Sequence, residues 1–325
     1  MLRVAVIGLG VGEEHARAYL ANPQCELRVL CDIDADKLAE VVSRFPGVNL
    51  SRNPAEVLES KEIDLVSIAS YDNCHAEQVI KALRARKHIF VEKPLCLTRE
   101  ELNQIRRSYD KTLGFSGNLV LRRSPLFLKL RELWSAGELG EVYAVEGEYN
   151  YGRLEKLTKG WRGEIPDYSV ISGGGVHLVD LILWLSGEKS FNRVSSFSNS
   201  ISTGGRYRDY VTSLVQFESG LIARVTANFG CIYPHFHLLS VYGTKGTFQN
   251  TPQGAFLYRP GKEALRLSEP YPGVSKGALI PEFVESIISR APAPVTAQEL
   301  FLATELCLSI DEEMGNESRG NRSRG

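Results

Sequence analysis

Several signatures are missing from this chain, and each absence removes a class of function. Its six cysteines, at positions 25, 31, 74, 96, 231 and 307, include no C-x-x-C pair and no spacing of a zinc site or a disulfide framework. No metal centre or oxidised scaffold is expected, and a reducing, cytoplasmic setting is the simplest reading. Long apolar runs are absent as well. The most apolar helical stretch, residues 176–185, is about half of the ~20 residues that span a bilayer, and it carries His177 and Asp180. The first apolar segment begins at Leu2, directly after Met1, so a secretory leader with its charged and apolar regions is not expected. Surplus charge is also lacking. Lys plus Arg number 38 against 39 Asp plus Glu, a formal charge of −1, so nothing in the totals suggests a surface that neutralises nucleic-acid phosphates. Small molecules are the expected partners, with no nucleic acid and no membrane.

What is present is a chain of 325 residues with 43% hydrophobic composition, long enough for two domains. Up to about residue 118, short β-rich runs (RVAVI, ELRVLC, DLVSIA, HIFV, LGFSGN) alternate with helix-length segments. This alternation predicts βαβ units and an α/β fold with a parallel sheet, whose ligands sit beyond the carboxyl ends of the strands. The first run delivers Gly8-Leu9-Gly10-Val11-Gly12-Glu13 just before a helical segment. Glycines let the backbone turn tightly and approach a pyrophosphate, whose charge is met by helix N-terminal amides. The spacing departs from G-x-G-x-x-G, because the third glycine comes one residue early and Glu13 takes its place. Asp32 ends the second run, 20 positions beyond Gly12, where an acid accepts hydrogen bonds from the adenosine ribose. Its charge would repel a 2′-phosphate, Asp34 is close by, and Ile33 stands where an arginine could have been, so NAD is expected over NADP. A plain turn explains the glycines alone and a capping acid explains Asp32 alone; their combination points to a dinucleotide.

The run KHIFVEKPLCLT places Glu92, Lys93 and Pro94 at the carboxyl end of a predicted strand, on the edge that also presents the glycine turn and Asp32. Pro94 keeps Lys93 extended and so pre-positions an ammonium that can hydrogen-bond a substrate oxygen. A Lys-Pro pair by itself also suits a solvated turn. The expected cofactor edge is Gly8, Leu9, Gly10, Val11, Gly12, Asp32, Ile33, Ser70, His75, Glu92, Lys93 and Pro94. Cys96 lies near Lys93 but has no evident base partner, so nucleophilic catalysis is not expected of it.

The sequences GLGVGEEHARA, HAEQVIKAL, VEKPLCLT, SAGELGEVYAV, GGGVHLVDLILWL and YGTKGTF together resemble the Gfo/Idh/MocA oxidoreductases, over nearly the whole chain to about Glu313. The resemblance implies a Rossmann domain followed by an α/β domain with a large, mostly antiparallel sheet, and redox chemistry on sugars or polyols. It also implies a cis bond before Pro94 and a homo-oligomer, a dimer or tetramer, packed through that sheet. The corresponding domains are residues 1–118 and 119–313, with residues 314–325 as a disordered tail.

In the second half, Ser172-Gly173-Gly174-Gly175 precedes a helix that is apolar on almost every face, so it is expected to be buried. His177 and Asp180 are its polar members. A hydrogen-bonded core histidine is the bland reading of His177; the glycines, by lacking side chains, would let a ligand approach the helix start. The resemblance makes His177 catalytic together with Lys93, and places an assisting aspartate four residues earlier, where this chain has Gly173. Its task would be lost, or passed to Asp167 or Tyr168. Trp161, Arg162, Asn118 and Asp180 are the expected substrate contacts. Residues 221, 223, 225, 227 and 229 are expected on one face of a strand that follows a hairpin turn at Glu218-Ser219-Gly220. His235 and His237 could share a strand face, as a substrate-lining or surface pair rather than a metal site. Two further readings stand beside a dehydrogenase: an NAD-dependent glycosidase working through transient sugar oxidation, and a non-catalytic NAD-sensing protein.

Overall fold

The computed structural model describes residues 1–166 and 168–320, with side chains up to Met314; Asp167, and with it the role suggested for it, lies outside the described residues. The chain forms two compact units, residues 1–120 with 274–301, and residues 121–273 with the chain from 302 onward.

The first unit begins β1 (Leu2–Ile7), α1 (Gly12–Leu20), β2 (Cys25–Cys31), α2 (Ala35–Val41), β3 (Asn49–Ser51) and α3 (Pro54–Glu59). It continues with β4 (Leu65–Ile68), α4 (His75–Arg84), β5 (His88–Val91), α5 (Arg99–Ser108) and β6 (Phe115–Gly117). All six strands pair in parallel, in the order β3-β2-β1-β4-β5-β6. This is the Rossmann order, with its switch point between β1 and β4. Helices cover both faces of such a sheet, and every residue of β4 is accordingly buried.

The second unit is built on α6 (Pro125–Ser135), β7 (Val142–Asn150), α7 (Glu155–Thr158), α8 (Val176–Ser186), β8 (Arg193–Asn199), β9 (Tyr210–Gln216) and β10 (Ile222–Asn228). It adds β11 (Phe236–Gly243), β12 (Thr247–Thr251), β13 (Gly254–Tyr258) and β14 (Leu265–Leu267). The eight strands form one sheet, β14-β13-β12-β11-β7-β10-β9-β8, antiparallel except for β7 beside β10. The expected hairpin joins β9 to β10, with Gly220 at φ +92°. Leu221, Ala223, Val225, Ala227 and Phe229 are all buried, as their alternation implied. α8 lies on that buried face, where Gly147 lets the Leu178 side chain come within ordinary contact of the strand backbone. A π-helical turn, Ile171–Gly175, runs straight into α8, and Gly187 ends it in the left-handed conformation at φ +75°.

The chain then forms α9 (Ile280–Ser289) and α10 (Ala297–Gly320). Two expectations are corrected here. Residues 274–301 belong to the first unit rather than the second. The reason is packing: a Cβ at Gly277 would come within 2.8 Å of Ala18 on α1, and Leu300 fills the space beside Gly117. The expected tail from 314 continues α10 through Gly320, since extending an established helix adds a hydrogen bond for each residue ordered; residues 321–325 lie outside the described residues.

Candidate active site

Strand register brings the first unit's motifs to one edge. Ile7 pairs with Cys31 and with Ile68, Ile68 with Val91, and Val91 with Gly117. Gly8, Asp32, Ala69, Glu92 and Asn118 therefore each stand one residue past the same rung. Their amides extend the ladder, with Gly8 N donating to Cys31 O at 2.8 Å, Ala69 N to Ile7 O at 2.7 Å, Glu92 N to Ile68 O at 2.8 Å and Asn118 N to Val91 O at 2.8 Å. Gly8 has φ +86°, and a Cβ there would overlap the Ala69 backbone, so only glycine fits. Gly12 lies against Val6 and Ala69, where an added Cβ would meet Val6 Cγ1 at 3.0 Å. It does the close helix-to-strand packing that the motif's third glycine does elsewhere, which frees the next position. Glu13 uses that freedom to pair with Arg17 at 2.6 Å and Arg44 at 2.8 Å. A Cβ on Gly10 would touch nothing within 4 Å. No side chain caps the first turn of α1 among the described residues. Open space over Gly10 beside uncapped helix amides fits a pyrophosphate. Asp32 Oδ2 accepts from Leu9 N at 2.7 Å and Oδ1 from Asp34 N at 3.0 Å, which aligns the carboxylate beside the turn and leaves lone pairs for a ribose.

Behind this edge lies a buried polar cluster. Glu92 Oε1 accepts from Asn118 Nδ2 at 2.6 Å and sits 3.3 Å from His15 Nε2, while His15 Nδ1 is 2.9 Å from Ser67 Oγ. Asn118 Nδ2 also reaches Lys276 O at 2.8 Å. Burial alone would raise the Glu92 pKa, but the hydrogen bond and charge of His15, the charge of Lys93 and the Asn118 amide together hold it down at about 2. Lys93 is half-buried, its peptide bond to Pro94 is cis, and its backbone N–H meets Glu92 Oε2 at 3.3 Å. His75 is fully buried with Nδ1 2.6 Å from Pro94 O and Nε2 3.1 Å from Ser70 O, while Ser70 Oγ donates to Gln78 at 2.8 Å. Burial pushes the Cys96 thiol up to about 12, which removes it as a nucleophile.

The second unit holds the other expected residues. His177, on the first turn of α8, is buried, and its ring meets His237 edge-on at 5.8 Å. His237 stacks on Tyr149 at 4.4 Å and lies with Nδ1 2.6 Å from Tyr271 Oη, which also accepts the His237 backbone N–H at 3.0 Å. Tyr149 Oη is 2.9 Å from Nε2 of His235, which is itself exposed. Three imidazoles thus gather with two tyrosines, yet no group of three His, Cys, Asp or Glu among the described residues is arranged to hold a metal. Arg162 stacks over Trp161 at 4.2 Å and donates from Nε to Tyr168 Oη at 3.0 Å. Asp180 receives Arg122 in a two-pronged buried pair, Nε to Oδ2 at 3.0 Å and Nη2 to Oδ1 at 2.6 Å.

Residues 2–113 match the model of the oxidoreductase family with an NAD-binding Rossmann fold, and residues 127–249 match the Gfo/Idh/MocA C-terminal domain. The chain belongs to the Gfo/Idh/MocA oxidoreductases. It is 30% identical to a scyllo-inositol 2-dehydrogenase (NAD(+)) of Bacillus subtilis, over 76% of this chain and 72% of that protein. It is 27% identical to a myo-inositol 2-dehydrogenase of Thermotoga maritima, over 75% of this chain and 74% of that protein. The solved levoglucosan dehydrogenase in complex with NADH and levoglucosan superposes with a TM-score of 0.83 at 21% identity, covering 97% of this chain and 98% of that one.

For this NAD-binding family member, several of the expected site residues are engaged within the protein. His75 turns both ring nitrogens to backbone carbonyls, those of Pro94 and Ser70. The Asn118 Nδ2 group is engaged by Glu92 and Lys276, while its Oδ1 is buried with no hydrogen-bond partner among the described residues. Asp180 is neutralised by Arg122 and anchors α8. The glycines before α8 do not open a path for a ligand: a Cβ at Gly173 would overlap the Tyr168 phenol, and one at Gly174 the rings of Tyr149 and Phe229. Tyrosine rings occupy the room that the glycines leave, and the Tyr168 phenol fills the space of the aspartate that the family resemblance places at 173. Sequence reasoning passed over His15, Arg122 and Tyr271. None of the three carried a clear local signal: His15 follows two glutamates, Arg122 precedes another arginine, and Tyr271 lies between two prolines.

Proposed function

We propose that this oxidoreductase oxidises a secondary hydroxyl of a cyclitol or sugar-like polyol with NAD. The observation that carries this is the shared rung, which sets the glycine turn, the ribose acid and the Glu92-Lys93-Pro94 segment along one sheet edge. The names of the relatives, inositol and levoglucosan dehydrogenases, support the substrate class. When bound, the nicotinamide supplies the hydride acceptor. Gly8, Gly10 and the first amides of α1 hold the pyrophosphate, and Asp32 takes the ribose hydroxyls and disfavours a 2′-phosphate by like charge.

Lys93 and His177 handle the proton of the substrate hydroxyl. A neutral imidazole can accept that proton, while the ammonium steadies the oxygen as negative charge develops. Trp161 and Arg162 contact the polyol. The reading is tested by following absorbance at 340 nm with NAD or NADP over a panel of inositols, levoglucosan and free hexoses. Turnover of a cyclitol or anhydrosugar with NAD preferred supports it, and silence across the panel with both cofactors refutes it.

We also propose that the chain assembles as a homo-oligomer through the outer face of the eight-stranded sheet. Phe197, Leu214 and Ile222 stand there at 58%, 51% and 49% exposure on three adjacent strands, a concentration of large apolar groups that a second copy would cover.

A further inference from the structure

We infer that Asp311, on α10, is a positioning residue for the proposed reaction: by holding Ser172 it fixes the π-turn that sets the direction of α8 and so of His177, and its ionised form is the competent one. The inference rests on the polyol-dehydrogenase reading, and begins with the turn itself. A π-helical turn is a rare, wide conformation, and Ile171–Gly175 contains three consecutive glycines, the residues that lose most freedom on ordering. Such a segment needs tethers from outside its own backbone. Two are present. Ser172 N donates to Ser169 Oγ at 2.9 Å, and Ser172 Oγ donates to Asp311 Oδ2 at 3.2 Å. The Ser169 hydroxyl lies near enough to the same carboxyl to favour its ionised form.

Asp311 sits among Cys307, Leu308, Ile310 and Met314, all buried, so its polar partners are found on the turn rather than on its own helix. Arg208 and Glu312 are the charged groups that face it, the first favouring and the second opposing ionisation. Burial outweighs the two serines and Arg208 and pushes the carboxyl up to about 6. As the pH falls through that value the carboxylate gains a proton, and the acceptor of the Ser172 hydroxyl becomes a neutral acid that can itself donate. The neutral acid holds the Ser172 hydroxyl less firmly than the carboxylate does, and the turn loosens five residues before His177.

The test compares wild type with Asp311→Asn and Ser172→Ala in two measurements. Hydrogen–deuterium exchange over residues 169–180 needs no substrate. We expect both variants to exchange faster there at pH 7.5 while residues of β1 and β4 keep wild-type protection. The second measurement is kcat and KM between pH 5 and 8 with the polyol turned over. Both variants are expected to lose about tenfold in kcat at pH 7.5, the worth of one hydrogen bond to a charged acceptor, with KM for NAD unchanged. Wild-type kcat falls as the pH drops through about 6, where Asp311 gains its proton, and Asp311→Asn lacks that step. Unchanged exchange in both variants, or a wild-type pH profile in Asp311→Asn, overturns the inference. If wild type turns over no polyol, the dehydrogenase reading fails alone, and the exchange data still decide whether Asp311 holds the turn.

Discussion

At the scale of single residues, the account turns on atoms that have no alternative place. Gly8 and Gly10 share one turn but face different constraints, which separates folding from binding. Gly8→Ala forces a Cβ into the Ala69 backbone at a left-handed φ. It should lower Tm by several degrees and abolish NADH binding. Gly10→Ala meets no protein atom, so Tm should stay at the wild-type value while the Kd for NADH, read by fluorescence, rises at least about tenfold. Equal loss of Tm in both variants would show that the turn is built differently. Asp180 makes a second residue-scale case. Removing one partner of its buried pair with Arg122 leaves an uncompensated charge, so Arg122→Ala or Asp180→Ala should each cost about 3–5 kcal/mol in urea unfolding. Arg122→Met with Asp180→Leu should recover most of that loss. Neither effect could be read in the chain, because Arg122 lies 58 residues from its acid and nothing local links them.

At the scale of elements, the strand ends of the first unit were legible and the start of α8 was not. Alternating β-rich runs and helix-length segments mark a parallel sheet because both of its faces must be covered. The residue after each strand is then a ligand position by geometry. Glycines carry no such direction. Gly173 and Gly174 suit a ligand's approach and a tyrosine's ring equally well, and only the fold shows that Tyr168 and Tyr149 fill the space. His75 shows the same limit, since the sequence puts an imidazole at a helix start near the cofactor edge without telling that its ring nitrogens meet the Ser70 and Pro94 carbonyls. The strand-end cluster of His15, Glu92 and Asn118 leads to a pH prediction. The Glu92 pKa in the fold, about 2, is below its ordinary 4.5. An acid with a lowered pKa contributes stability in full above its unfolded value and loses it as pH falls through the folded one. Wild-type Tm should therefore drop between about pH 4.5 and pH 2 by more than the Tm of Glu92→Gln, which lacks this titration. Parallel curves for the two proteins would place the cluster's stabilisation elsewhere.

For the whole molecule, composition and length indicated two domains of an α/β class. They could not indicate that residues 274–301 return to the first unit, because that assignment depends on Gly277 meeting Ala18 and Leu300 meeting Gly117 across long sequence separations. No helix among the described residues is long and apolar enough to cross a membrane. Assembly is argued at this scale too. Phe197→Asp with Leu214→Asp places two charges on the open sheet face and should shift the mass measured by light scattering to that of one chain, while wild type gives a multiple of 36.1 kDa. Wild type at a single chain's mass would end that proposal. The central claim, that Lys93 and His177 serve one redox reaction on a polyol, is tested most directly by measuring kcat of Lys93→Ala and His177→Ala with the best cyclitol or anhydrosugar and NAD, beside their NADH affinities. The account predicts a fall of about 10²–10⁴-fold in kcat for each with NADH still bound; wild-type turnover in either variant would contradict it.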